Sequence, residues 1–462
     1  MIRNIKFLTA FALLASLGTA IGLGQIENRV SAILTYPATV CPGTNADGNS
    51  NDLIPNSKIL GTSIPSNQNK MKVLGTNNFA TKKSLLVDGG GVTAVSVLKG
   101  TSGWLAAVNC SISDGDDWFV GGTASVSSKG FIEVVNSGLS TAIVDFKIYS
   151  SKAATVVSKN IPANSVSYVL LDSLAPGEDA IAIEAITRAG RVSIFELDNR
   201  KSGLHAIGGD YVSPAPAPTK TVIIPNIPTV KGKVGQTLRV VVPGNVDANL
   251  KATIFSSDGS FAPSGVDGSS VASGSVKDIT FTPVVADSSY SMRIDSDVPI
   301  SASVLSTSNG DLIWSTAVSN TTSTSLQLGG FTPLFRFYGP AIDVNLSWID
   351  TSGKKSSKHL IGNDTLAFRP KVSLTRASIT SNGSQTFGAL LINSGSGKYL
   401  VDPARMREEF AILRALADEI DRHRHAGGSF EYGYRYRRHV HRRPDQREFC
   451  DAGGGETDRG FT

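Results

Sequence analysis

Few residues in this chain have a type and spacing that could do chemistry. It holds three Cys and six His among 462 residues. The densest cluster is VNCSISDGDDWFVGG, residues 108–122, with Cys110, three carboxylates, an aromatic pair and a Gly-Gly turn. Asp114, Asp116 and Asp117 offer oxygen ligands to Ca²⁺, but an EF-hand loop needs D-x-D-x-D-G and a distant Glu, and this spacing fails it. Ser-Asp-Gly-Asp-Asp is also ordinary turn text, with local side-chain hydrogen bonds and a residue at ease with positive φ. The turn is the favoured reading, and no metal site is assigned. Trp118 and Phe119 are expected to pack as core beside a Cys41–Cys110 bridge. The sharper alternative is a platform that stacks on a sugar ring. It makes Trp118, Phe119, Asp116 and Asp117 the candidate ligand-binding residues.

Other chemistry finds little support. VDGGGVT (87–93) is Gly-rich but is not G-x-G-x-x-G, and no helix follows to hold a phosphate. No G-x-S-x-G occurs, and Ser near Lys in VSSKG and SGKYL lacks the S-x-x-K setting of acyl transfer. A pair of acids for glycoside hydrolysis can be far apart in sequence, and nothing singles one out. His423, His425, His439, His441 and Cys450 match no structural zinc spacing. No catalytic residue and no cofactor are assigned. Cys41 and Cys110 are the natural disulfide pair in an oxidising compartment, and closing that loop is worth roughly 4 kcal/mol on the chain-entropy account.

The N-terminus, MIRNIKFLTAFALLASLGTAIGLGQ, has Arg3 and Lys6 ahead of an uncharged apolar run at 7–24. Residues 1–25 therefore read as a signal peptide or signal anchor, and residues 7–24 are a membrane contact if they are not cleaved. The expected location is secreted, or anchored on the outer face of the cytoplasmic membrane. Residues 1–400 carry 22 Lys and 10 Arg against 27 acids, with no basic stripe interleaved with aromatics. Nucleic-acid binding has no footprint there.

From residue 32 onward the chain punctuates itself as all-β. Short runs such as FIEVV (131–135), AIVDFKIYS (142–150), RVSIFEL (191–197) and TLRVVV (237–242) alternate with Gly, Asn, Asp, Ser and Pro. VVNSGLSTAIVDFKIYSS (134–151) lies over VVVPGNVDANLKATIFSS (240–257) without a gap, with seven of 18 positions identical. A looser third copy runs from FRFYGPAIDVNLSWIDTSG (335–353). The interval of about 100 residues is that of an immunoglobulin-like sandwich, not of a propeller blade. The expected fold is thus tandem immunoglobulin-like β-sandwich domains. One or more domains span 32–212, a Pro-rich linker 213–220, and two further sandwiches 221–320 and 321–400.

Residues 401–462 differ in kind, with 12 Arg and no Lys. Asp402 and Pro403 open a helical pattern that Gly427 and Gly428 stop, and Met406, Phe410, Leu413, Ala417 and Ile420 share one face. A short C-terminal α-helix in an atypical tail is expected, followed by a disordered Arg/His-rich segment. The change of composition suggests a segment foreign to the ancestral fold; an amphipathic docking helix with a polyanion-binding arm is the functional alternative.

The stretch from VCPGT (40–44) through GWLAAVNCSISDGDDWFVGG (103–122) to FIEVVNSGLSTAIVDFKIY (131–149) resembles an uncharacterised family of exported actinobacterial proteins. The matching residues are Cys41, Pro42, Gly43, Cys110, Asp117, Trp118, Phe119, Val120, Gly121 and Gly122, then Asn136, Ser137 and Gly138, with Ser where the family usually has Pro. The resemblance spans about residues 33–400. It implies a secreted or membrane-anchored protein with no assigned activity, found beside cell-envelope glycosyltransferases. The resulting expectation is a non-catalytic envelope protein, structural or binding, with a polysaccharide or an envelope protein as partner. The alternative is an enzyme or accessory factor of envelope glycan assembly.

Overall fold

The computed structural model describes residues 38–44, 49–54, 58–61, 72–73, 77–81, 83–88, 93–100, 103–111, 115–203, 205–230, 236–308, 311–383, 385–394 and 397–401. The signal segment 1–25, Asp114, the tail helix and Cys450 lie outside the described residues. Within them the chain is nearly all strand, with one four-residue helix at Leu171–Leu174. No helix of the described residues is long and apolar enough to cross a membrane.

Four units share one strand order. In the first, Ala38–Cys41 to Leu105–Asn109, eight strands form two four-stranded sheets. One sheet carries the fourth, third, sixth and first strands in that order, the other the fifth, second, seventh and eighth. The second unit, Asp116–Phe119 to His205–Val212, repeats this order strand for strand. In the third, Thr219–Pro228 to Asp311–Thr316, the sixth and seventh strands fuse into Ser289–Ser308, whose first half pairs in one sheet and second half in the other. In the fourth, Ser323–Phe331 to Gly397–Val401, the second and third strands fuse into Leu334–Asp350 and the fourth and fifth into Lys355–Phe368. The second, third, fifth and sixth strands pair as B, C, E and F of an immunoglobulin sandwich do. The first and seventh instead take the places of G and A. The strand–turn–strand repeat at 134–151 and 240–257 is the second and third strands of two such units, and 335–353 is the fused version.

The strand sequences explain the layers. Ala248–Ser256 alternates buried and exposed residues, as an outer strand with one wet face must. Phe131–Asn136 and Asp311–Thr316 are buried at every position because both their faces are covered. The eighth strands meet at the centre: Leu105–Asn109 lies against His205–Val212 and Gly397–Val401, and Asp311–Thr316 lies against those same two. The units thereby close on themselves. Thr93 of the first unit pairs with Leu326 of the fourth, its N–H donating to Ser325 O at 2.7 Å and its carbonyl accepting from Gln327 N at 3.0 Å.

The cores follow the same circuit. Val95, Val97, Leu105 and Ala107 of the first unit complete the core of the fourth. Leu98, Trp104 and Val108 face Phe131, Phe195 and Tyr211 of the second. The Pro-rich segment 213–220 crosses from second to third unit as a strap; Ala215 is buried and its N–H donates to Trp118 O at 2.7 Å.

Candidate functional site

The sequence motifs with chemical potential come together at the joints between units. Cys41 and Cys110 are bonded, across a sequence separation of 69. The bond fastens the first strand to the segment after the eighth, where Val40 and Ser111 exchange backbone hydrogen bonds at 2.8 and 2.9 Å. Two residues on, Gly43 N donates to both carboxylate oxygens of Glu133, at 3.0 and 3.1 Å, and Ser84 Oγ donates to one at 2.5 Å. Glu133 belongs to the second unit and is fully buried, and burial pushes its carboxyl up to about 7. The Cys-Pro-Gly turn is thus one half of a joint.

The Asp-Trp-Phe-Val-Gly-Gly stretch builds the next joint. Trp118 and Phe119 are adjacent on a strand, so they point to opposite faces. Phe119 enters the core of its own unit, whereas Trp118, only 5% exposed, enters that of the third and stacks on Tyr149 at 5.8 Å. Neither lies in the cluster around the cysteine-bearing strands, contrary to the expectation from sequence. The core that Trp118 enters belongs to the following unit, which sequence proximity does not reveal. The ring of Trp118 is not presented to solvent for stacking on a sugar. Asp117 is also buried, and Asp116 is exposed. Among the described residues no group of three or more His, Cys, Asp or Glu could hold a metal ion.

The end of the motif is backbone chemistry. Val120 O accepts from Ser303 Oγ, and Gly122 O accepts from Arg239 Nη1. Arg239 also donates to Ile181 O at 3.1 Å and Asp179 O at 3.3 Å, and forks onto Asp278 at 2.7 and 2.8 Å. Gly122 has φ +72°, and a Cβ there would sit 2.3 Å from Glu196 Oε1; one on Gly121 would sit 2.6 Å from Val212. Both positions require glycine.

A third group of residues escaped the sequence reading. Glu196, Asp198 and Arg200 occur at period two on Val192–Ser202, a spacing that places them on one face. Arg200 holds Asp198 with contacts from 2.7 to 3.1 Å. Trp314 of the third unit donates its indole N–H to Asp198 at 2.9 Å and its backbone N–H to Asp210 at 2.8 Å. Its ring lies 5.1 Å from the Arg239 guanidinium and 6.0 Å from that of Arg200. Asp311 ties three units together: one oxygen accepts from Leu105 N of the first at 3.2 Å, the other from Gly209 N of the second at 3.4 Å and from Leu312 N of its own at 2.8 Å. Burial pushes Asp311 up to about 6 and holds Asp210 and Glu196 well above the carboxylate range. For Asp210 the Asp311 and Asp198 charges add to burial, and for Glu196 the Asp198 charge does. Glu196, Asp198, Asp210, Arg239 and Trp314 are all at most 2% exposed. This is a sealed electrostatic lock rather than an open catalytic cleft.

Among the described residues, two shallow clefts lie at the surface. One, of about 270 Å³, runs between the strap and Phe387 of the fourth unit and is lined by Thr219, Thr221, Ser301 and Asn320 among apolar residues. The other, of about 190 Å³, sits on the fourth unit beside Trp348, Lys355 and Arg376. Neither is lined by an acidic residue.

Fold and joints together define the class: four two-sheet β units in a closed circuit, with the polar motif residues spent on joints. The chain belongs to DUF5719, a family of unknown function, whose model matches residues 80–360. That span covers the second and third units whole and reaches into the first and fourth. No curated protein and no solved structure matches the chain.

Proposed function

We propose that this is a non-catalytic protein of the cell envelope, exported and secreted or membrane-anchored, with a structural or binding role and a polysaccharide or protein as partner. The observation that carries this reading is the fate of its acids. The buried carboxylates with raised pKa, which are the usual mark of acid–base chemistry, are sealed in joints between units, and two clefts on the described surface are lined by no acid. The Cys41–Cys110 bond supports an oxidising compartment. The resemblance to exported actinobacterial proteins supports the same setting. A rigid frame that leaves its outer sheet faces and loops to solvent suits recognition of an extended partner.

The test is co-sedimentation of the full chain with isolated cell-envelope polysaccharide, followed by sizing of the recovered polymer. Saturable binding with the polymer unchanged in length is expected. Shortened polymer or released sugar would replace this reading with an enzymatic one.

A further inference from the structure

We propose that the outward sheet face of the fourth unit binds an acidic polysaccharide, one that bears carboxylates. This rests on the binding role proposed above and assigns it a place and a ligand chemistry. The strand pairing lays out the face in rungs. Lys355 and Arg376 flank Ile349 on either side, so the three share one rung and one face. The next rung is hydroxyl throughout: Ser357, Ser347, Ser378 and, one strand further, Ser325. The third carries His359, Asn345 and Thr380. Neighbouring rungs are about 7 Å apart, and the two cations sit on strands about 10 Å apart, the scale of neighbouring sugars in a polymer.

The opposite face of these strands is core, with Val344, Leu346, Ala377 and Ile379 buried. Most of the rung residues are open: Asn345, Ser347, Lys355, Ser357, His359 and Thr380 are exposed, while Ile349, Arg376 and Ser378 are half-buried. Lys355 and Arg376 are in no ion pair among the described residues. The one acid on the face, Asp343, is held by His359 at 2.8 Å and Asn382 at 3.1 Å, at the far end from the cations.

Charge complementarity selects the occupant. Residues 321–400 hold eight Lys and Arg against three Asp and no Glu, while residues 221–320 of the third unit hold six against eight Asp. Cations bordered by hydroxyl and amide groups match a polymer that alternates carboxylates with sugar hydroxyls, and Arg can grip a carboxylate with two parallel bonds. The face has no exposed aromatic on which bases could stack, and its largest exposed apolar group is Ile361. Trp348, one position before Ile349, points to the other side of the sheet, where it packs against the core beside Phe368.

The full chain is titrated with polygalacturonate at physiological salt, beside neutral dextran and a DNA duplex. Expected is saturable binding of polygalacturonate alone, read by isothermal titration calorimetry. The pair Lys355→Ala/Arg376→Ala weakens the affinity about tenfold. The control pair Lys159→Ala/Lys251→Ala, on other units, leaves it unchanged. An unaltered affinity in Lys355→Ala/Arg376→Ala, or an equal change with the DNA duplex, would overturn the inference. Sedimentation with envelope polysaccharide that is undiminished in Lys355→Ala/Arg376→Ala would also overturn it, while leaving the broader binding role intact.

Discussion

Asp311 gives the sharpest quantitative prediction. Its carboxylate is 3% exposed and accepts backbone N–H groups from three units. Asp311→Ala leaves these three amides buried without acceptors, at about 1 kcal/mol each at the lower end of the usual range, since two of the contacts are long. The loss at pH 7.5 is therefore about 3 kcal/mol. A pH dependence is superimposed. The folded pKa is raised from 3.8 to about 6, so the folded state binds the proton more tightly than the unfolded one. The resulting stability is fully present below 3.8 and is lost as pH rises through 6. Between pH 7.5 and pH 5 the native protein gains about 1.4 kcal/mol from this group, one decade of proton affinity, and the alanine variant gains nothing from it. The deficit of the variant should thus grow to about 4.4 kcal/mol at pH 5. Urea unfolding of both proteins at the two pH values measures it, and amide exchange at Leu105, Gly209 and Leu312 localises it. A deficit under about 1 kcal/mol, or one that shrinks on acidification, would refute the reasoning.

Other joints give parallel expectations. Glu133→Gln should remove about 2 kcal/mol of the stability that the native protein gains between pH 8 and pH 5.5, because the raised pKa of Glu133 acts below about 7; thermal melts at the two pH values decide it. Trp118→Ala opens a cavity in the third unit's core and should cost about 3–5 kcal/mol, read by urea unfolding, with loosened amide exchange across the joint. Gly122→Ala forces a side chain into a positive φ against Glu196 and should cost about 2 kcal/mol or more; an unchanged melting temperature would contradict the close approach. Reduction of Cys41–Cys110 should lower stability by about 4 kcal/mol, seen as a lower denaturation midpoint in the presence of a thiol.

What the sequence could and could not disclose follows from the range of each signal. Period-two runs and turn residues act locally, so the strands at 131–136, 142–149, 192–202 and 236–242 were legible. The Cys41–Cys110 pairing was legible because only three cysteines exist. The repeat at 134–151 and 240–257 was visible, and its structural counterpart is two whole units. The first unit escaped notice as a further copy because its strands are only two to six residues long and include polar text such as NSNDLI. The core that Trp118 enters was illegible because the next unit builds it, from Val222 onward; the stacking partner Tyr149 lies closer in sequence. Glu196, Asp198 and Arg200 were legible in principle: three charged residues at alternate positions of an apolar strand signal an inward polar face, and that pattern went unread. The fusion of strands in Ser289–Ser308 and Leu334–Asp350 leaves no local signature, because a strand that passes between sheets has the composition of two ordinary ones.

The central claim is that the four units close on themselves, so that the motif residues act as joints. Site-resolved amide exchange at the seam between first and fourth units tests it most directly. The N–H groups of Thr93 and Gln327, which pair across that seam, should exchange as slowly as interior strand amides such as those of Val134 and Val240. Exchange of Thr93 and Gln327 at the rate of exposed loop amides, with those interior amides still protected, would show that the circuit is open and contradict the account.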